Sequence, residues 1–360
     1  MTAIRTLVAS CLIFAASFST APAQETVSSL VEAVEAWLAS PHAQRGSEAF
    51  THWNEEGEIP AQCATCHSSI GIRDFLGGDG SAVGQVDHPS ALGALIDCTA
   101  CHSTAANLLN QVTFPSGASV GNLGSSAVCM VCHQGRQSTV GVEKALAGLE
   151  DDVVTPELGF VNVHYRAAAA SLMGTEGRGG FEYPGKTYAG RFAHVPDFNS
   201  CTTCHDPHGL QVRAEPCAEC HKTADLMAIR TRPADADGDG DTTEGVADEI
   251  TTLHDTLGRA ISEYATVIAA APVVYAPDAY PYFFADMNRN SAVDEGEAVY
   301  SNRYQSWTPR LLRAAYNYQF IAKDPGVYAH NPTYAMQLLI DSLDDLGLAA
   351  PLTESGWSRP

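Results

Sequence analysis

Apolar residues recur at helical spacing in only a few stretches of this chain, and those stretches outline its organisation. Ile250, Leu253, Leu257, Ile261, Tyr264 and Ile268 fall on one face of a 3.6-residue period and predict an amphipathic helix. A second helix is predicted around Pro309–Ala322. A third is bounded at both ends: Asn331 stands as N-cap, Pro332 takes the first helical position, Leu338, Leu339, Leu343 and Leu346 carry the apolar stripe, and Gly347 ends it. Near the other end Leu30, Val34, Trp37 and Leu38 predict a short helix, with Ser29 and Glu32 as a capping box and Pro41 stopping it before His42. Between these helices the pattern loses periodicity. Stretches such as Phe75-Leu-Gly-Gly-Asp-Gly80 and Ser116-Gly-Ala-Ser-Val-Gly-Asn-Leu-Gly124 read as loops, and few regular strands are expected.

The first residues have a different pattern. An early Arg5, an apolar run over about 7–18 and the small residues Ala21-Pro22-Ala23 form a secretory signal over residues 1–23, so the mature chain is expected to be exported and to begin near Gln24. Leu7-Val8-Ala9-Ser10-Cys11 looks like a lipoprotein box, but the most apolar part follows Cys11, which argues against lipidation. The run is too short to span a bilayer, and no later apolar segment reaches the ~18 residues that a span needs.

Cysteine content changes the picture most. Setting Cys11 aside leaves ten of the 11, and all ten sit in five copies of C-x-x-C-H. These are Cys63-Ala-Thr-Cys66-His67, Cys98-Thr-Ala-Cys101-His102, Cys129-Met-Val-Cys132-His133, Cys201-Thr-Thr-Cys204-His205 and Cys217-Ala-Glu-Cys220-His221. Two cysteines three apart on a helical turn face one way and suit two thioether bonds to a haem. The adjoining His then lies beneath the iron as proximal ligand. Disulfides or structural zinc would not require a His after every pair. The motifs occupy 159 residues, too few to enclose five macrocycles in an ordinary core, so the cofactors themselves are expected to act as core.

Eight histidines lie outside the motifs. If each iron is six-coordinate through His, five of them are distal ligands. Position favours His42, His164, His194, His208 and His330, with His52 and His88 in reserve; His254, on a helix without cysteine, is set aside. His208 follows His205 too closely to return to the same iron but can reach a neighbouring one. Arg136, Arg166, Lys186 and Arg191 would neutralise propionates or, in a catalytic reading, clamp a substrate.

Charge refines the boundaries. The chain carries 42 acidic against 20 basic residues, a formal net charge of -22, which disfavours nucleic acid and anionic membrane surfaces as partners. Residues 24–232 form a haem-binding region. Residues 233–360 form an acidic helical lobe, with 14 Asp and Glu between Pro233 and Tyr300 against Arg259 and Arg289. Within the lobe, Asp286, Asn288, Asn290, the Ala292 carbonyl, Asp294 and Glu297 match an EF-hand calcium loop, with Ser291 where Gly is usual. Asp235, Asp237, Asp239 and Asp241, with Gly240, form a partial second match that has Val246 at its last position.

The repeats, with trailing His as in CTTCHDPH, resemble the multihaem c-type cytochromes of bacterial respiratory and extracellular electron-transfer chains. The segment DPGVYAHNPTYAMQLL is similar to the closing segment of pentahaem nitrite reductases and octahaem hydroxylamine-oxidoreductase relatives, where the His before Asn-Pro ligates a haem; the resemblance implies that role for His330. The reductases carry CxxCK at their catalytic haem, whereas all five motifs here end in His. The resemblance implies a mainly α chain with much irregular loop, compactly wrapped around stacked haems. It also implies electron transfer to redox protein partners or a terminal acceptor. Alternatives are a haem oxidoreductase acting on a small nitrogen or sulfur oxyanion, and a homo-oligomeric conductive filament.

Five motifs predict that the intact mass of the exported protein exceeds that of its bare chain by five haem units; a gain of four or fewer would refute the count.

Overall fold

The computed structural model describes residues 21–347 and 356–360. The secretory signal expected over residues 1–23 lies almost wholly outside the described residues. The described fold is mainly helical, with long irregular connections and three two-stranded antiparallel ribbons: Glu58–Ile59 with Ser90–Ala91, Gln111–Thr113 with Ser119–Gly121, and Val273–Tyr275 with Phe283–Ala285.

The C-terminal helices follow the apolar pattern closely. Helices Val246–Val267, Pro309–Ala322 and Pro332–Leu346 pack on one another. Their stripes meet in the middle: Leu253, Leu257, Leu311, Leu312, Leu338 and Leu339 are fully buried. Each such side chain contributes about 1.5–3 kcal/mol by leaving water. Caps set the ends. The Thr308 hydroxyl accepts from Leu311 N, the Asn331 side chain accepts from Tyr334 N, and Gly347 closes its helix in the left-handed region.

The composition changes at residue 232, but the core continues across it. The segment from Asp151 to Arg191 lies over the C-terminal helices and is fastened by their polar side chains. The buried Asn317 amide accepts from Phe181 N at 2.7 Å and donates to Phe181 O at 3.0 Å, as a neighbouring strand would. Gln319 Oε1 accepts from Val163 N, and the Tyr316 hydroxyl donates to Gly179 O. Asp151 and Asp152 are bound by Arg310 and Arg313, which also hold Asp345.

The first helix departs from expectation. It covers Ala21–Ala39, so Ser29 lies inside it rather than at its N-cap, and the Ser28 hydroxyl donates to Glu32 one turn on. Pro22 sits in the first turn, where a missing N–H costs nothing, and Ala23, Gln24 and Glu25 favour helix, so the helix starts upstream of the local capping signal. Leu30 and Leu38 stay exposed, while Trp37 anchors the helix by donating to Ile96 O. His42 sits beyond the helix, in the 3-10 turn Pro41–Ala43.

Replacing Asn317 by Ala would leave a buried N–H and C=O of Phe181 without partners. Denaturant unfolding is expected to show a loss of about 2–4 kcal/mol; a loss below about 1 kcal/mol would show that the amide is dispensable.

Candidate functional site

Each C-x-x-C pair occupies a short helical turn, and its His either closes that turn or follows it. The turns are Ala61–His67, Cys98–His102, Ser126–Cys132, Cys201–Cys204 and Cys217–His221. Local chemistry starts and stops them. The Asp97 carboxylate caps the second by accepting from Thr99 N. The backbone of Ser68 ends the first, while its hydroxyl caps the next helix. All ten cysteines are free thiols.

Around these turns lies a cavity of about 3450 Å³, lined by all ten cysteines. Shared among five sites it gives about 690 Å³ each, within the ~300–1,000 Å³ of an ordinary ligand pocket.

The histidines supply the decisive geometry. Five histidine–histidine ring contacts occur among the described residues, and each joins one motif His to one distal candidate. His67 faces His164 at 6.0 Å between ring centres, His102 faces His208 at 6.2 Å, and His133 faces His42 at 6.3 Å. His205 faces His330 at 6.3 Å and His221 faces His194 at 5.9 Å. A metal–imidazole bond is about 2 Å long and the nitrogen lies about 1 Å from its ring centre, so two imidazoles on one metal stand about 6 Å apart. His208 therefore faces the second motif, three residues after His205 has turned to His330.

Backbone and carboxylate acceptors orient these rings. His67 donates from Nδ1 to Ala49 O at 2.7 Å, which leaves Nε2 toward His164. His133 and His205 bond to the backbone of Arg166 and Leu210. His330 is held through Nδ1 by both oxygens of the buried Asp324, at 2.8 and 2.9 Å. A carboxylate in that position fixes the tautomer and strengthens the opposite nitrogen as a donor. Nothing in the sequence marked Asp324, which lies a helical turn and more before His330.

His164 precedes a short helix rather than lying in it. That helix is Ala168–Met173, and His164 sits in a turn at φ +74°, its N–H donating to Asn162 Oδ1.

Burial lowers the pKa values of several of these rings. His133 and His164 are brought down to about 4, by burial first and then by the facing His42 and His67. His42, His67 and His205 are lowered by the same cause. A neutral imidazole keeps the lone pair that a metal needs. For His330, burial is outweighed by Asp324, and its pKa is raised.

The remaining histidines stand apart from these pairs. His52 is bonded to Glu48 one turn away, and its ring meets Trp53 edge-on. His88 is exposed between Asp87 and Asp74. His254 stacks on Tyr318 at 3.9 Å and bonds to Tyr318 O; it is half-buried rather than solvated. Of the basic candidates, Arg136 and Arg166 line the cavity. Lys186 is bound to Asp341 and Asp344, and Arg191 to Glu176.

The Asp286 loop folds on itself. Asp286 accepts from the N–H groups of Arg289, Asn290 and Ser291, and Glu297 accepts from Met287 and Asp294. Asn288 and Asn290 both donate to Asp294. Ser291 adopts φ +61°, the left-handed conformation that Gly would take at no steric cost. A strand and a 3-10 turn, Phe283–Ala285 and Tyr300–Asn302, flank this loop instead of the helices of an EF-hand. In the other acidic loop, burial raises Asp237 to about 6 and Glu244 to about 7, and neighbouring carboxylates add to the effect.

Free thiol pairs on helical turns, each followed by a His that faces a second imidazole across one cavity, fit c-type haem. No family model matches the chain, and no solved structure matches it. Among curated proteins it is similar to the C-type polyheme cytochrome OmcB of Geobacter sulfurreducens (strain ATCC 51573 / DSM 12127 / PCA), 28% identical over 352 residues that cover 82% of this chain and 45% of that protein. It is also similar to the C-type polyheme cytochrome OmcC of the same strain, 29% identical over 357 residues, 82% of this chain and 44% of that protein. The chain spans less than half the length of the curated relatives it matches. The similarity supports a multihaem c-type cytochrome with haem as cofactor. No helix among the described residues is long and apolar enough to cross a membrane.

Proposed function

We propose that this chain is an exported electron-transfer protein with five c-type haems, each attached through one C-x-x-C pair and ligated by one of the five facing histidine pairs. The observation that carries this reading is the pairing itself: every motif His faces a different partner at the spacing of a six-coordinate iron. When bound, haem supplies a one-electron Fe(III)/Fe(II) couple.

The residues shape how that couple is used. The two imidazoles at each site would both ligate a bound haem iron and would leave it no free coordination place for a substrate. Arg136 and Arg166 stand in the cavity wall, where they compensate propionate charge. The sites adjoin one another through the protein. The Cys66 and Cys132 thiols meet, joining the first and third sites, and Cys129 meets Cys201, joining the third and fourth. His205 and His208, on one short segment, tie the fourth site to the second. Electrons therefore pass between neighbouring sites without leaving the cavity. The acidic surface selects redox partners that offer positive charge. Calcium is proposed as a structural ion of the acidic lobe.

The test is spectroscopic. The wild-type protein should be low-spin throughout and respond little to carbon monoxide or nitrite. Replacing His42, His164, His194, His208 or His330 by Ala should each convert one haem in five to a high-spin, carbon monoxide-binding form. Carbon monoxide binding by the wild type, or five silent variants, would refute bis-His ligation. Asp324→Asn keeps the His330 geometry but weakens the imidazole as a donor. It is expected to raise the potential of one haem in a redox titration and leave the other four in place.

A further inference from the structure

Away from the cavity, the loop that joins the last motif to the helix Val246–Val267 gathers carboxylates, and the cation beside them, Arg230, forms its ion pair with Glu249 instead. Asp235, Asp237 and Asp239 each offer an oxygen, all within 4.8 Å of one another. Asp237 is 5% exposed, and its Oδ2 has no hydrogen-bond partner among the described residues. Glu244, at the end of the same loop, likewise holds a buried and unpartnered Oε1. The charges that weigh most on Glu244 are all carboxylates: Asp237, Asp239, Glu249 and Asp248. Burying unpaired charge among like charges is costly unless a cation joins them.

The loop is already arranged around that point. Asp235 accepts from Gly238 N at 2.6 Å and Gly240 N at 2.8 Å, and Gly240 turns the chain at φ +94°. Arg230 is occupied elsewhere: its guanidinium donates to the carbonyls of Ala234 and Glu244 and pairs with Glu249, clamping the two ends of the loop. The C-terminal segment closes one side, with Ser358 N donating to Ala236 O and Gly356 lying against Gly238.

We propose that Asp235, Asp237 and Asp239 hold a calcium ion, with Glu244 as the fourth carboxylate. Oxygen-only donors and several anionic ligands suit a hard cation that accepts six to eight oxygens. Val246 stands where an EF-hand carries its closing Glu, and Glu244 takes over that charge from two positions earlier. The Asp286 loop differs in the property that matters. The oxygens of Asp286 and Glu297 accept its own N–H groups, and none is buried without a partner.

The experiment uses the haem-loaded protein, stripped with chelator and titrated with calcium chloride by calorimetry, with melting followed by far-ultraviolet circular dichroism. The wild type and Asp286→Asn should bind calcium at this site and melt higher with it. Asp237→Asn and the exposed, fold-neutral Asp239→Asn should each weaken that binding at least tenfold and lose the melting shift, with haem spectra unchanged. Binding by Asp239→Asn equal to wild type, no uptake at millimolar calcium, or equal affinity for magnesium would overturn the assignment.

Discussion

The arrangement depends on one repeated constraint: two imidazoles held with their ring centres about 6 Å apart, five times over, around a common cavity. This spacing is what the proposed haem sites require, with a planar group between each pair of rings and a metal joined to both. The protein then serves as a set of clamps. Short helical turns present the thiols, acceptors such as Ala49 O and Asp324 aim the nitrogens, and burial keeps His133 and His164 neutral.

The cavity also explains why an acidic helical lobe sits beside it. The turns around the cavity are four to seven residues long and cannot support one another. The three C-terminal helices provide the ordinary apolar core that they lack. Asn317, Gln319 and Tyr316 reach out of that core to hold Val163, Gly179 and Phe181, on either side of the helix Ala168–Met173, and Asp324 and His330 project from its edge toward the fourth motif. The lobe thus positions His330 and Asp324 for a region with which it shares no composition.

Carboxylates play two roles in this design. The buried Asp324 and the half-buried Asp345 are paired, with His330 and with Arg310 and Arg313, and they fix geometry. Asp237 and Glu244 are drawn inward without such partners. A fold that leaves a charge in that state relies on something outside the chain to balance it.

Sequence alone determined what depends on near neighbours. C-x-x-C-H fixes thiols and imidazole on one turn by covalent spacing, and the five motifs were legible for that reason. The helices beginning at Pro309 and Pro332 were legible to the residue, because Pro, the caps and Gly347 act locally. The choice of His42, His164, His194, His208 and His330 over His52 and His88 rested on position, but which ring faces which could not be read. His205 facing His330 and His133 facing His42 join elements far apart in the chain, and only packing brings them together. Local signals also failed where neighbours in space took over. Ser29 looked like a cap but lies within a longer helix, Lys186 and Arg191 looked free but are held by Asp341, Asp344 and Glu176, and the Asp286 loop is flanked by a strand. Sequence supplies the ligands because chemistry needs particular residues at short spacing; tertiary structure supplies the pairing because that is a distance between segments, set by what is buried between them.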